Sequence, residues 1–281
     1  MRSLEKQIED FELQYPKNGF FVFDLLNTKP LQEARKALEV ELRRMSKDPN
    51  ATLEGYQRLF EVDGAHTDAQ IHMTEFFRKG RFGPAIAAGQ LQFFERIIGR
   101  DLKVQRNPYL RITRPRKPQD NIGFHRDTFY GGSPHELSFL VPFVDLPAES
   151  SLRLLSGSHE TPEDHFRFTQ VTSPEVTKGS AKHQLGFLYA PKMMDPEQTR
   201  DAIAVPLKFG QALIFSLSLV HGSEVNTGPH CRWSSDIRVM SGLAPVDLSS
   251  RPDYYETLAV SPVTASADRY ARAQIKTTAA C

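Results

Sequence analysis

The chain reads as mainly β, a sandwich or jelly roll preceded by helices, on three observations. After Gly99, short apolar or alternating runs recur between turn residues. Residues 136–146 and 233–239 alternate with the period of two that a strand requires. Before Gly99, apolar residues recur instead at three and four, the helical period. At 281 residues, 40% of them apolar, the chain can bury a full core within a single domain, as barrels and sandwiches of this size do.

The elements follow in order. Residues 18–24 form a short strand after an Asn18-Gly19 turn. Thr28 and Pro30 open a helix, the hydroxyl as a cap and the proline where its missing N–H does no harm. Leu31, Ala34, Leu38 and Leu42 give that helix one apolar stripe. Residues 49–65 read as irregular. Thr67-Asp68-Ala69-Gln70 has the form of a capping box, opening a helix through Ile71, Thr74, Phe76 and Phe77 that stops near Gly80. Pro84 starts another, through Ile86, Leu91, Phe94, Ile97 and Ile98, ending at Gly99. Residues 1–100 are therefore the helical part. Strands are expected at 102–104 and 109–113, split by Asn107-Pro108. The prolines of 114–120 exclude that segment from a central strand, making it a loop into an extended segment around His125. In 136–146, Leu137, Phe139, Val141 and Phe143 share one face. Residues 156–159 form a turn. Residues 160–200, polar and aperiodic, are expected to be an insertion covering a pocket mouth. Strands follow at 202–206, 211–216 and 233–239, and the strand-rich core, 101–243, is expected to end near Leu243.

Charge narrows the function. The 35 basic and 34 acidic residues nearly cancel, so nothing demands nucleic acid or a membrane surface. Cys231 and Cys281 are the two cysteines, the second being the last residue, which points to no structural disulfide and to a reducing, cytoplasmic setting. The start lacks the apolar run of a signal peptide, and no apolar stretch reaches the length of a membrane span.

The chemistry gathers at Gly123-Phe124-His125-Arg126-Asp127-Thr128. On an extended segment His125 and Asp127 point the same way. An imidazole and a carboxylate make two thirds of a metal site, and His221 is the best candidate for the third ligand. Two histidines and a carboxylate on one face of an ion suit non-haem Fe(II) with open positions. An H-x-D triplet alone arises often by chance. Here His221-Gly222-Ser223 follows an apolar strand, and Arg232 comes eleven residues after His221. Arg232, Ser234, Asp236 and Arg238 alternate, so they share one strand face, where charge is costly unless paired or used. Arg232 either pairs with Asp236 or offers its fork to a carboxylate ligand. Arg238 is Asp236's partner or a substrate contact. Arg111, Tyr130 and His135 are further substrate candidates, with Phe129 as pocket wall. The Arg114, Arg116, Lys117 run reads as a solvated loop. His159 is read as a turn-bonding residue, and His66, His72, His165, His183 and His230 have no ligand-like neighbours.

This pattern resembles the Fe(II)/2-oxoglutarate dioxygenases, in particular the phytanoyl-CoA dioxygenase-like family. Asn18-Gly19-Phe20-Phe21-Val22 is similar to its N-terminal strand, residues 151–159 to its G-x-L-x-x-x-P-G-S-H stretch, and His221-Gly222-Ser223 to its distal HGS. Ser151 stands where the family often has Gly and Ser156 where it often has Pro. The resemblance implies a double-stranded β-helix (jelly roll) with N-terminal helices packed on one sheet. It implies Fe(II) held by His125, Asp127 and His221, and 2-oxoglutarate held by Arg232 with Ser223 or Ser234. With O2 as cosubstrate, a C–H bond of a small molecule, such as a specialised metabolite, would be hydroxylated or desaturated. In the related halogenases a small residue replaces the carboxylate, so Asp127 favours those two outcomes. Two other readings remain open at this point: a cupin-like metal protein that is no oxygenase, and a peptide or protein hydroxylase of the same fold.

Overall fold

The computed structural model describes residues 2–168, 193, 195–249 and 251–278, leaving most of the expected insertion at 160–200 outside the described residues. The helical part opens with a helix that the sequence reading passed over, α1 (Leu4–Asn18). Ser3 caps it by accepting from Lys6 N, and Gly19, at φ +77°, ends it. It buries Ile8 and Phe11 against β1 (Phe20–Asp24).

Next come α2 (Lys29–Ser46) and α3 (Asp63–Lys79). In α2 the stripe of Leu31, Ala34, Leu38 and Leu42 is buried as expected, but Thr28 makes no side-chain cap bond. The expected capping box at residues 67–70 lies inside α3, which begins at Asp63, so its buried face is Ala69, Gln70, Met73, Thr74 and Phe77. The single helix expected after Pro84 is two, α4 (Phe82–Ala88) and α5 (Leu91–Ile98). The break has a cause. Gln90 is fully buried and serves the backbone of the 26–27 turn, accepting from Leu26 N at 2.7 Å and donating to Asn27 O at 2.9 Å.

Antiparallel strands then make a jelly roll. The strands are β2 (Leu102–Gln105), β3 (Tyr109–Thr113), β4 (Glu136–Pro142), β5 (Arg153–Leu154), β6 (Ile203–Ala204), β7 (Gln211–Ser216), β8 (His221–Gly222), β9 (Arg232–Ser241) and β10 (Tyr255–Ala259). Among the described residues the larger sheet runs β1-β7-β4-β9-β2-β10, with β3 paired to the first half of β9, and the smaller runs β6-β5-β8. β10, and the final helix α6 (Pro262–Thr278), correct the expected end of the core near Leu243: β10 pairs with β2 and extends the large sheet.

The N-terminal helices cover one face of that sheet, and aromatic rings fill the contact. Phe23 stacks on Phe93 at 4.4 Å between centroids, and Phe94 meets Phe139 edge-on at 5.3 Å. All seven residues of β4 are buried, as suits a strand paired on both edges, with β7 and β9.

His66, on α3, is a buried core histidine, with its Nδ1 3.1 Å from the Tyr56 hydroxyl and its Nε2 3.6 Å from Asp120. Burial holds its pKa down to about 4, outweighing the pull of Asp120 in the other direction. The unfolded chain therefore binds a proton that the folded one refuses as pH falls from 6.5 to about 4. Stability is expected to drop across that window by up to about 3 kcal/mol from this group. His66→Gln should flatten the drop in urea unfolding at mildly acidic against neutral pH; an unchanged slope would show that His66 is not its source.

Candidate metal centre

The two sheets meet at the candidate ligands. His221 lies on β8, and His125 joins it through an isolated antiparallel bridge, with backbone N–H···O bonds of 2.9 Å in both directions. The extended strand expected around His125 is not there. The chain makes one bridge and turns at once into a 3-10 helix over Asp127–Tyr130, with Asp127 N bonded to Leu217 O at 3.0 Å. The two side chains still point one way, because Arg126 between them is extended (φ −113°, ψ 144°). Gly222 lets the two segments approach: a Cβ there would lie 2.8 Å from the backbone N of Phe124.

His125, Asp127 and His221 are all buried, and their donor atoms lie within 4.8 Å of one another. Asp127 Oδ1 is 3.7 Å from His125 Nε2 and 4.0 Å from His221 Nε2. Each imidazole places its other nitrogen on a backbone carbonyl, His125 Nδ1 on Gly123 O at 2.7 Å and His221 Nδ1 on Leu219 O at 2.9 Å. With Nδ1 as the donor, both Nε2 lone pairs face the carboxylate, the tautomer a metal ligand needs. Burial, reinforced by His125, lowers the His221 pKa to about 4. For Asp127, burial pushes the pKa upward, but Arg238 first, then His221 and His125, hold the carboxyl far below its usual range. The centre thus sets a neutral His221 imidazole beside an ionised carboxylate.

These groups open on a cavity of ≈ 290 Å³, lined also by Tyr109, Arg111, Phe215, Leu217, Arg232 and Tyr254. Arg232, at the start of β9, is 4% exposed. Among the described residues its one side-chain hydrogen bond is from Nε to Ser234 Oγ, at 3.2 Å. The anticipated alternative, a pair with Asp236, is not formed. Asp236 instead faces Arg111 at 3.9 Å, which places Arg111 on the cavity wall as half of an ion pair. Arg232 thus presents a desolvated guanidinium to the cavity, as a dianionic keto acid requires. Ser234 steadies it, whereas Ser223 spends its hydroxyl on both backbone groups of Ile122.

Other expectations are corrected. Arg238 is not the partner of Asp236: its Nη2 lies 2.5 Å from Asp127 Oδ2. His135 is exposed, in the turn before β4, and does not line the cavity. Arg114 is not solvated but 1% exposed, forked onto Asp120 at 2.8 and 2.9 Å and bonded to Phe60 O and Glu61 O, so the loop that it begins is closed on itself and tied to the 60–63 segment. The side chain of Tyr130 lies outside the described residues. Phe129 stacks on Phe168, and Met193 N bonds Phe124 O, so both described ends of the 160–200 insertion rest beside the His125 segment. His159 Nε2 lies 3.1 Å from Pro16 O in α1, so it ties its turn to a distant helix rather than bonding within the turn.

Two features escaped the sequence reading. Arg126, 1% exposed, donates from Nη2 to Ser158 O and Thr161 O and lies 4.4 Å over Phe166; burial lowers its pKa to about 10. It anchors the insertion's first turns to the metal segment. The C-terminal segment brings Arg251 and Tyr254 to the cavity, clasped through Glu136, which accepts from Arg251 at 2.9 Å and from the Tyr255 hydroxyl. Glu136, Arg251 and Tyr254 carry no motif. Only an acidic residue opening an otherwise largely apolar strand hinted at the first.

Solved structures share this fold. A non-haem monooxygenase, ThoJ, in its apo form aligns with a TM-score of 0.54 at 16% identity over 92% of this chain and 84% of that one. The ThoJ–Ni complex gives 0.51 at 16% identity, over 93% and 86%. The α-ketoglutarate-dependent carbocyclase SnoK from nogalamycin biosynthesis aligns at 0.49 and 16%, over 85% and 86%. For the two ThoJ structures, at 16% identity, the likeness is one of fold. No curated protein matches the chain in sequence. Among the described residues no helix is long and apolar enough to cross a membrane. Phytanoyl-CoA dioxygenase-like enzymes use Fe(II) and 2-oxoglutarate, and the buried His–Asp–His donors and the cationic Arg232 fit both. Residues 15–234 match the family described as phytanoyl-CoA dioxygenase (PhyH), and the chain belongs to it.

Proposed function

We propose that this protein is an Fe(II)- and 2-oxoglutarate-dependent oxygenase that hydroxylates or desaturates a C–H bond of a small molecule. One observation carries the reading: three metal-type donor atoms and a buried guanidinium, in no ion pair among the described residues, face the same cavity. When bound, the ion would supply the redox chemistry, with O2 as the four-electron oxidant: two electrons come from 2-oxoglutarate as it loses CO2 to become succinate, and two from a substrate C–H bond.

The chain's own residues do the rest. His125 and His221 offer Nε2, each ring held by the carbonyl on its Nδ1. Asp127 offers Oδ1 and its charge. Arg232 takes the far carboxylate of 2-oxoglutarate, with Ser234 fixing the guanidinium plane. Phe215, Leu217 and Leu152 supply apolar wall that keeps water from the reacting centre. The substrate would enter against Tyr109, Arg111 and Tyr254 on the remaining wall. A pocket of ≈ 290 Å³ suits a small metabolite better than a peptide segment.

The test is an anaerobic titration of the protein with Fe(II), followed by 2-oxoglutarate. One ion per chain and keto-acid binding that depends on that ion are expected. Binding of the ion without any binding of the keto acid would overturn the oxygenase reading in favour of a metal protein of another kind.

A further inference from the structure

The two oxygens of Asp127 have different neighbours. Oδ1 faces His125 and His221 at 3.7 and 4.0 Å, while Oδ2 faces the Arg238 guanidinium at 2.5 Å. The carboxylate is 2% exposed. We propose that Arg238 is a positioning residue: it holds Oδ2 so that Asp127 presents Oδ1 alone to the metal. The inference rests on the metal-site reading above but goes beyond the three ligands.

The physical need is plain. The terminal torsion of an aspartate is broad, so a carboxylate without a partner can rotate away or offer both oxygens to one ion. A second oxygen on the metal would take a position that the keto acid or O2 needs. A guanidinium beside Oδ2 opposes both outcomes by charge attraction, because it stays charged when buried. Its own base is rigid. Arg238 lies on β9, flanked by β4 and β2, and its backbone N–H is bonded to Gln105 Oε1 at 3.1 Å. Strand alternation puts Arg232 and Arg238 on one face, so a single strand would serve the keto acid through one arginine and the metal-binding carboxylate through the other. Arg238 lies beyond residue 234, where the family match ends, so the match itself does not assign it a role.

A cation near a dication also repels it, and that effect has the opposite sign, which makes the experiment decisive. Fe(II), or Co(II) as an air-stable probe, is titrated into the full chain, Arg238→Met and Arg238→Lys, each checked for folding by circular dichroism. Positioning predicts that Arg238→Met weakens metal affinity at least about 10-fold, the scale of lost outer-shell partners, and that Arg238→Lys recovers most of it. The visible absorption of bound Co(II) should change in Arg238→Met, reporting a changed ligand set. Unchanged or tighter binding in Arg238→Met would overturn the inference and leave Arg238 as a mere counter-charge. If the unaltered protein binds neither ion, the metal-site reading itself fails.

Discussion

Replacing His221 by alanine is expected to weaken Fe(II) binding by more than about 100-fold, beyond the 10–100-fold typical of losing an outer-shell partner, and to abolish 2-oxoglutarate consumption. The imidazole is one of three donors, and nothing else of ligand type lies in its cluster among the described residues. The main-chain bridge to His125 uses only backbone atoms, so it survives the substitution and the fold should persist. Calorimetric metal titration checks the first effect, and succinate release the second. His135→Ala is the control, since His135 is exposed and away from the cavity, and it should leave both unchanged. Fe(II) affinity equal to that of the unaltered protein in the His221 variant would remove His221 from the ligand set.

Arg232→Ala acts on a different step. Truncating one partner of a desolvated, hydrogen-bonded charge pair costs 2–5 kcal/mol, so 2-oxoglutarate affinity should fall roughly 100-fold, about 3 kcal/mol. Metal affinity should hold, because Arg232 contacts Ser234 and not the ligand cluster. Arg232→Lys should fall between the two, keeping the charge but losing the planar fork. Measuring keto-acid binding to the Fe(II)-loaded variants without O2 separates binding from turnover. An Arg232→Ala protein with undiminished keto-acid affinity would return this guanidinium to a purely structural role.

These experiments address side chains whose legibility differed. His125, Asp127 and His221 could be picked out because residue type and spacing together are restrictive: a triplet, a distal histidine after an apolar strand, and an arginine eleven residues on. The local conformation carrying the triplet was not legible. Period two suggested a strand, whereas the chain makes one bridge and a 3-10 turn, because Asp127 N is claimed by Leu217 O from a distant loop. The helix at Leu4–Asn18 was legible in principle, through the Ser3 cap and the Ile8/Phe11 spacing. The break at Gly89-Gln90 was not, since it depends on the backbone of residues 26 and 27.

By itself the sequence determined the fold class, the alternating face of β9 and the identity of the ligand candidates, because periodicity and residue chemistry act over a few neighbouring positions. Only the tertiary structure decided how the charges pair. Arg232 forms no ion pair with Asp236, Asp236 faces Arg111, Arg238 lies against Asp127, and Glu136 draws Arg251 and Tyr255 inward from a segment expected to lie beyond the core. The reason is physical. A buried charge settles against whichever opposite charge shares its low-dielectric surroundings, and which charges share them depends on strands far apart in the chain.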